Sequence, residues 1–291
     1  MKDRKFIMAV LIPICVYVSI FILLPILGSF GISFMQYNPL LDNNKFIGLT
    51  NFSRLLKDEL FFKALTNTLV FVVITVTVNL ILSLGISYFI TTFKSNKLKS
   101  FFRAMFFLPC VAPMAASAVV WGKSIYPTRS GLANMIIDSI GGGKINWLGD
   151  PDILMISIIV FTIWADIGFN IILFGAGMDG IPDTFYEAAK VDGVNEWQKF
   201  RKITLPLLSR TFIFVSITTL ISYFQMFAQF DIMVLKNGPQ NAGLVLTSYI
   251  YKVAFEIKDM GYASAIAMVL FVIILIVTII QQKLTKVDWE Y

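Results

Sequence analysis

Thr68-Leu69-Val70-Phe71-Val72-Val73-Ile74-Thr75-Val76-Thr77-Val78-Asn79-Leu80-Ile81-Leu82-Ser83-Leu84-Gly85-Ile86-Ser87-Tyr88-Phe89-Ile90-Thr91 carries no charged side chain. As a helix rising about 1.5 Å per residue, this run is longer than the roughly 30 Å hydrocarbon core of a bilayer is thick. It sets the class, an all-α integral membrane protein. Working outward, further runs of spanning length lie at about 6–33, 104–121, 153–177, 207–230 and 262–281. With 68–91 they predict six transmembrane helices in a single transmembrane domain over residues 1–291. The composition agrees: 57% of residues are hydrophobic and 14% charged, against roughly 25% charged in soluble domains.

Lys2, Arg4 and Lys5 precede the first run, as in a signal peptide. Its apolar stretch far outlasts the roughly 7–15 residues of a signal's apolar region, so it reads as a retained helix. Pro13, Pro25, Pro109 and Pro113 fall within spans and predict kinks that neighbouring helices accommodate. If the N-terminus is inside, the inner segments 1–5, 92–103, 178–206 and 282–291 hold 13 Lys or Arg in 56 residues. The outer segments 34–67, 122–152 and 231–261 then hold 10 in 96. The denser basic side faces the cytoplasm, so both termini are expected there, with Arg210 snorkelling near the inner surface. On the outer side, residues 51–65 predict an amphipathic helix capped by Asn51, and 131–140 a second short helix.

Several function classes drop out. The net charge of +6 fits cytoplasmic loops facing anionic lipid headgroups, and no nucleic-acid partner is expected. The chain has no histidine, which removes Ser-His-Asp and Cys-His catalysis, histidine metal sites and a histidine pH switch. Cys15 and Cys110 lie inside apolar runs and imply neither a disulfide nor a metal site. Gly141-Gly142-Gly143-Lys144 lacks the glycine spacing and the following Ser or Thr of a phosphate loop. No catalytic residue and no metal ligand is assigned.

The inner loop 178–206 is the longest cytoplasmic segment. Within it Asp183 is suited to cap a helix through Glu187, Ala188, Ala189 and Lys190. Gly193 is placed to end that helix in a left-handed conformation. A second short helix, about 195–203, starts from Asn195, with Trp197 and Phe200 as apolar anchors. Pro206 then opens the fifth span. Periodicity alone fits an amphipathic connector as well as a docking element lying on the membrane's inner face.

Glu187-Ala188-Ala189, three residues, Gly193, nine residues, then Ile203-x-Leu205-Pro206 is similar to the EAA motif of binding-protein-dependent ABC transporter permeases at every fixed position. Phe46-x-Gly48-Leu49-x-Asn51-Phe52, Ala64-Leu65-x-Asn67-Thr68 and Phe107-Leu108-Pro109 resemble the carbohydrate-uptake, maltose-type branch. So do Asn237-Gly238-Pro239, which lacks the doubled glycine often seen before the proline, and Tyr249-Ile250-Tyr251. The likeness is closer to the F-type than to the G-type member of the paired permeases and covers nearly the whole chain. It implies the ABC importer permease fold in a bacterial plasma membrane, with residues 183–200 as the coupling helix that docks on an ATP-binding subunit. It also implies as partners a second homologous permease, two ATP-binding subunits and an extracellular solute-binding protein. ATP and magnesium would then be held by the ATP-binding subunits, with no cofactor in this chain. Glu187, Ala188, Ala189, Gly193, Ile203, Leu205 and Pro206 carry the coupling role by the same resemblance.

Polar side chains within spans are costly in hydrocarbon and mark candidate pathways. Span five carries Thr218, Ser222, Gln225 and Gln229 on one helical face, flanked by Tyr223 and Met226. Span four adds Thr162, Asp166 and Asn170, with Phe169 as an aromatic for a sugar ring. Span two adds Thr75, Asn79, Ser83 and Ser87. Such side chains either line a path for polyhydroxylated solutes or bond neighbouring helices. Asp166, the only acid within a span, either pairs inward or lies near the hydrated outer end. Sugar contacts in the resembled family favour Ser222, Tyr223, Gln225 and Met226 over span two. The pathway set is therefore Asp166, Phe169, Asn170, Ser222, Tyr223, Gln225, Met226 and Gln229. The expected function is uptake of mono- to oligosaccharides, with glycerol 3-phosphate as the nearest alternative. An ion-coupled secondary transporter is the remote one, since no inverted repeat is evident.

Overall fold

The computed structural model describes residues 2–41 and 44–284. In chain order the helices are α1 (Lys2–Val18), α2 (Leu24–Ser33), α3 (Thr50–Leu55), α4 (Glu59–Thr91), α5 (Asn96–Val111), α6 (Met114–Val120), α7 (Leu132–Ser139) and α8 (Pro151–Asp179). Then follow α9 (Asp183–Val191), α10 (Glu196–Lys199), α11 (Leu205–Leu207), α12 (Ser209–Phe224), α13 (Ala228–Met233), α14 (Leu246–Tyr251) and α15 (Met260–Leu284). A two-residue antiparallel pairing of β1 (Met35–Gln36) with β2 (Lys45–Phe46) sets Met35 against Phe46. Among the described residues four helical stretches are long and apolar enough to cross a membrane, and six if each of two bent pairs counts as one span. Of the basic segments used to orient the chain, Met1 and 285–291 lie outside the described residues.

The prolines act in two ways. Before Pro25 the helix widens into a π turn, Ser19–Leu23, which relieves the proline's missing N–H and its clash with the preceding turn. The stretch Ile7–Ser33 therefore stays one helix. Pro113 instead forces Ala112 into an extended conformation, ψ 137°, and the third span bends by 89° there. That span begins at Asn96, earlier than its apolar run. A further π turn, Phe200–Thr204, precedes Pro206, and the chain bends by 72° before α12.

The chain divides into two units. The first comprises residues 1–62 and 246–273. Here the expected single helix over 51–65 is broken: α3 ends at Leu55 and α4 begins at Glu59. Asn51 does not cap α3. Its side chain is buried and donates to the carbonyls of Ser33 (2.9 Å) and Met35 (3.0 Å), a pull stronger than a local cap. The cap of α4 is Asp58, whose Oδ1 accepts the N–H groups of Leu60 and Phe61 at 2.9 and 3.2 Å. Its Oδ2 accepts the hydroxyls of Tyr249 and Tyr262, both at 2.5 Å. Burial raises the Asp58 carboxyl, but the two phenols and two backbone N–H groups outweigh that and hold it below the usual carboxylate range. Arg54 lies 3.9 Å over the Tyr262 ring and pairs with Asp259 at 2.7 Å.

The second unit comprises residues 63–245 and 274–291. Its α4 inverts the pattern of a soluble helix. Thr75, Asn79 and Ser83 are fully buried, whereas Val73, Ile81 and Phe89 are about 60% exposed. Apolar residues outside and polar ones inside is what a lipid solvent selects. Leu80, Leu84, Phe174, Met178, Leu208 and Val215 pack around the C-terminal half of this face. The α5–α8 crossing is close because Gly168 has no Cβ: one added there would lie 2.0 Å from the Phe106 carbonyl oxygen. Arg103 bridges to Asp179 with both guanidinium nitrogens, at 2.8 and 3.1 Å, fixing the end of α8. The expected short helix near 131–140 is α7, held by Asn134 bonds to Thr128 and Ile145.

Candidate functional site

Two groups of predicted residues are positioned by α8 and the chain that follows it. The first is the loop. Pro182 caps α9, and Asp183 is its first residue rather than its cap. Pro182 offers no side-chain acceptor, and the Asp183 carboxylate instead adds charge at the helix N-terminus. The other end closes as a complete left-handed cap: Gly193 has φ 69°, its N–H bonds the Lys190 carbonyl, and the Val194 N–H bonds that of Ala189. Asn195 then opens α10 in a capping box with Gln198.

Glu187 and Ala188 are exposed on α9, and Ala189 is buried beneath it. Val191 is 89% and Trp197 66% exposed, so Trp197 faces outward and Phe200 is the anchor, packed 4.8 Å from the Tyr88 ring. The Tyr186 hydroxyl meets buried Thr204 at 3.0 Å and ties α9 to the turn carrying Ile203. Ile203 and Pro206, with Phe185, Lys202, Leu207 and Arg210, border a groove, while half-buried Leu205 packs against the core around Leu208.

The second group is a cleft lined by Asp166, Phe169, Asn170, Thr218, Thr219, Ser222 and Tyr223. Five of the eight pathway residues therefore meet there. Phe169 is 53% exposed. Among the described residues none donates a hydrogen bond to the Asp166 carboxylate. Gln225, Met226 and Gln229 do not line the cleft. Helix α12 stops at Phe224, so the stripe through positions 218, 222, 225 and 229 does not continue as one face. Gln229 lies buried on α13 and donates to the Met226 sulfur.

Three contributors stand outside the predicted set: Thr218, which belongs to the assumed stripe on span five, Thr219 and Asn79. Thr219 lines the cleft one step from the assumed stripe, on the face shared with buried Val215 and Tyr223. Asn79 does not touch the cleft but lies behind it. Asn170 Nδ2 donates to Asn79 Oδ1 at 2.8 Å and lies 3.0 Å from Thr219 Oγ1, whose hydroxyl is 3.3 Å from Asn170 Oδ1. Asn79 Nδ2 donates to the Tyr223 hydroxyl oxygen at 2.7 Å. The spacing of Asn79 with Thr75, Ser83 and Ser87 is the signal that marks this inward face.

Residues 81–286 match the family described as binding-protein-dependent transport system inner membrane component. The probable ABC transporter permease protein YurN of Bacillus subtilis (strain 168) is 33% identical, with 96% of each chain covered. The arabinooligosaccharides transport system permease protein AraP of the same organism is 32% identical, covering 91% of this chain and 84% of AraP. The trehalose/maltose transport system permease protein MalF of Thermococcus litoralis is 30% identical, covering 98% and 95%. A chain in the crystal structure of a bacterial alginate ABC transporter, in complex with an alginate pentasaccharide-bound periplasmic protein, shares the fold. Its TM-score is 0.86 at 22% identity, covering 98% of this chain and 95% of that one.

Proposed function

The chain belongs to the binding-protein-dependent transport system inner membrane component family, and we propose that it is the permease subunit of an ATP-driven importer of mono- to oligosaccharides. The observation that carries the sugar reading is the cleft. It joins hydroxyls of Thr218, Thr219 and Ser222, the Tyr223 phenol, the Asp166 carboxylate and an open Phe169 ring inside a bundle otherwise built for lipid. Hydroxyl and carboxylate groups exchange hydrogen bonds with a polyol, and the ring face meets its C–H edges. The names of AraP and MalF support that class. A phosphorylated solute such as glycerol 3-phosphate calls for cations, and among the described residues no lysine or arginine lines the cleft.

A second homologous permease, two ATP-binding subunits that hold ATP and magnesium, and an external binding protein complete the assembly. Both termini lie in the cytoplasm. Closure of the ATP-binding subunits moves residues 183–200, and Glu187, exposed and without a partner among the described residues, offers them a charged contact. In proteoliposomes holding the whole assembly, sugar uptake is expected to require ATP and to survive ionophores. Asp166→Asn and Tyr223→Phe should each cut turnover about tenfold, roughly 1.4 kcal/mol. Uptake that follows an ion gradient without ATP would overturn the proposal.

A further inference from the structure

We infer that Asn79, on α4 and outside the cleft, is a positioning residue that makes Tyr223 a hydrogen-bond donor to the solute; the inference rests on the cleft being the sugar path. An amide carries one acceptor and one two-proton donor at opposite ends, so a chain of amides has a direction. The Asn170 amino group donates to Asn79 Oδ1 at 2.8 Å and to Thr219 Oγ1 at 3.0 Å. The Asn79 amino group must then face the other way, into the Tyr223 oxygen.

The tyrosine oxygen thereby accepts from behind. Its own proton finds no acceptor among the described residues, and Tyr223 lines the cleft. All four side chains are at least nine-tenths buried, with Asn79 at 0% and Tyr223 at 2% exposure. Without water to compete, the direction of the relay persists, and a polar group left without a partner is expensive. Reversing it would present a lone pair instead of a proton. The selectivity of the cleft for a solute hydroxyl that accepts a hydrogen bond is thus set from α4.

The test uses the reconstituted assembly with saturating binding protein and lactose, maltose and arabinotriose as probes, each beside its monodeoxy analogues. Wild type is expected to turn over at least one parent sugar about five- to tenfold faster than the analogue lacking the contacted hydroxyl. Asn79→Leu and Tyr223→Phe should each bring that ratio towards one, and the double variant should go no further. If Asn79→Leu fails to assemble, Asn79→Thr, too short to reach Tyr223, carries the same expectation. An Asn79 variant that slows parent and analogue alike, with the ratio kept, shows a merely structural residue and overturns the inference while the cleft stands. A Tyr223→Phe variant with wild-type rates and ratio, or a wild type that moves none of the three sugars, overturns the sugar-path reading and this inference with it.

Discussion

At the scale of the residue, Asp58 gathers four hydrogen bonds on one carboxylate, two from backbone N–H groups and two from tyrosines. Bonds to a charged group are worth about 1.5–3 kcal/mol each, whereas an exposed ion pair such as Arg54–Asp259 yields about 0–1. Asp58 therefore governs this region and the salt bridge does not. Its folded carboxyl titrates below its unfolded one. Its contribution is full above the unfolded value near 4 and is lost as pH falls through the lower folded value. Thermal unfolding of the assembly between pH 3 and 6 should show this loss, and Asp58→Asn should flatten the dependence and lower the melting temperature at pH 6. In the sequence Asp58 is one acid in an outer loop, and its hydroxyl partners stand 191 and 204 residues away. No local pattern announces them.

At the scale of the element, α9 and its left-handed exit were readable because helix formers followed by glycine have a local physical meaning. Nothing lies within 4 Å of a Cβ built on Gly193, so a substitution there costs backbone strain alone. That strain is about 1–2 kcal/mol for an ordinary L-residue, and Asn tolerates the conformation better. Gly193→Val should cut ATP-driven uptake several-fold with the protein still in the membrane, and Gly193→Asn should stay near wild type. Equal uptake by both would disconnect the cap from coupling. The end of α12 was not readable. Gln225, Met226 and Phe227 include neither proline nor glycine, and a helix extended through them places Gln225 and Gln229 on the Ser222 face. Tyr223 and Asn170 were readable because an amide or phenol in an apolar run needs a reason.

At the scale of the whole molecule, hydropathy alone was enough to read the helical class and the four unbroken spans, since spanning length is a property of the solvent rather than of any fold, while the third and fifth runs are bent pairs that hydropathy does not distinguish. The sharp bend at Pro113 and the π turns at Pro25 and Pro206 are different answers to one residue type, chosen by packing. The proposed orientation makes a direct prediction. With Cys15 and Cys110 replaced, a membrane-impermeant thiol reagent added to intact cells should label Lys144→Cys and spare Asp192→Cys. The pattern should reverse in inside-out vesicles. Labelling of Asp192→Cys from outside would invert the topology.

Between α12, which ends at Phe224, and α13, which begins at Ala228, the ladder tightens: the N–H groups of Gln225 and Met226 bond the carbonyls of Ser222 and Tyr223 three residues back. Lipid tails offer peptide groups released from a helix no partners, so irregular backbone at membrane depth is kept beside protein or a moist lumen. If the fifth span crosses as proposed, this break is a place where the chain turns towards solvation rather than towards lipid, whatever cargo passes.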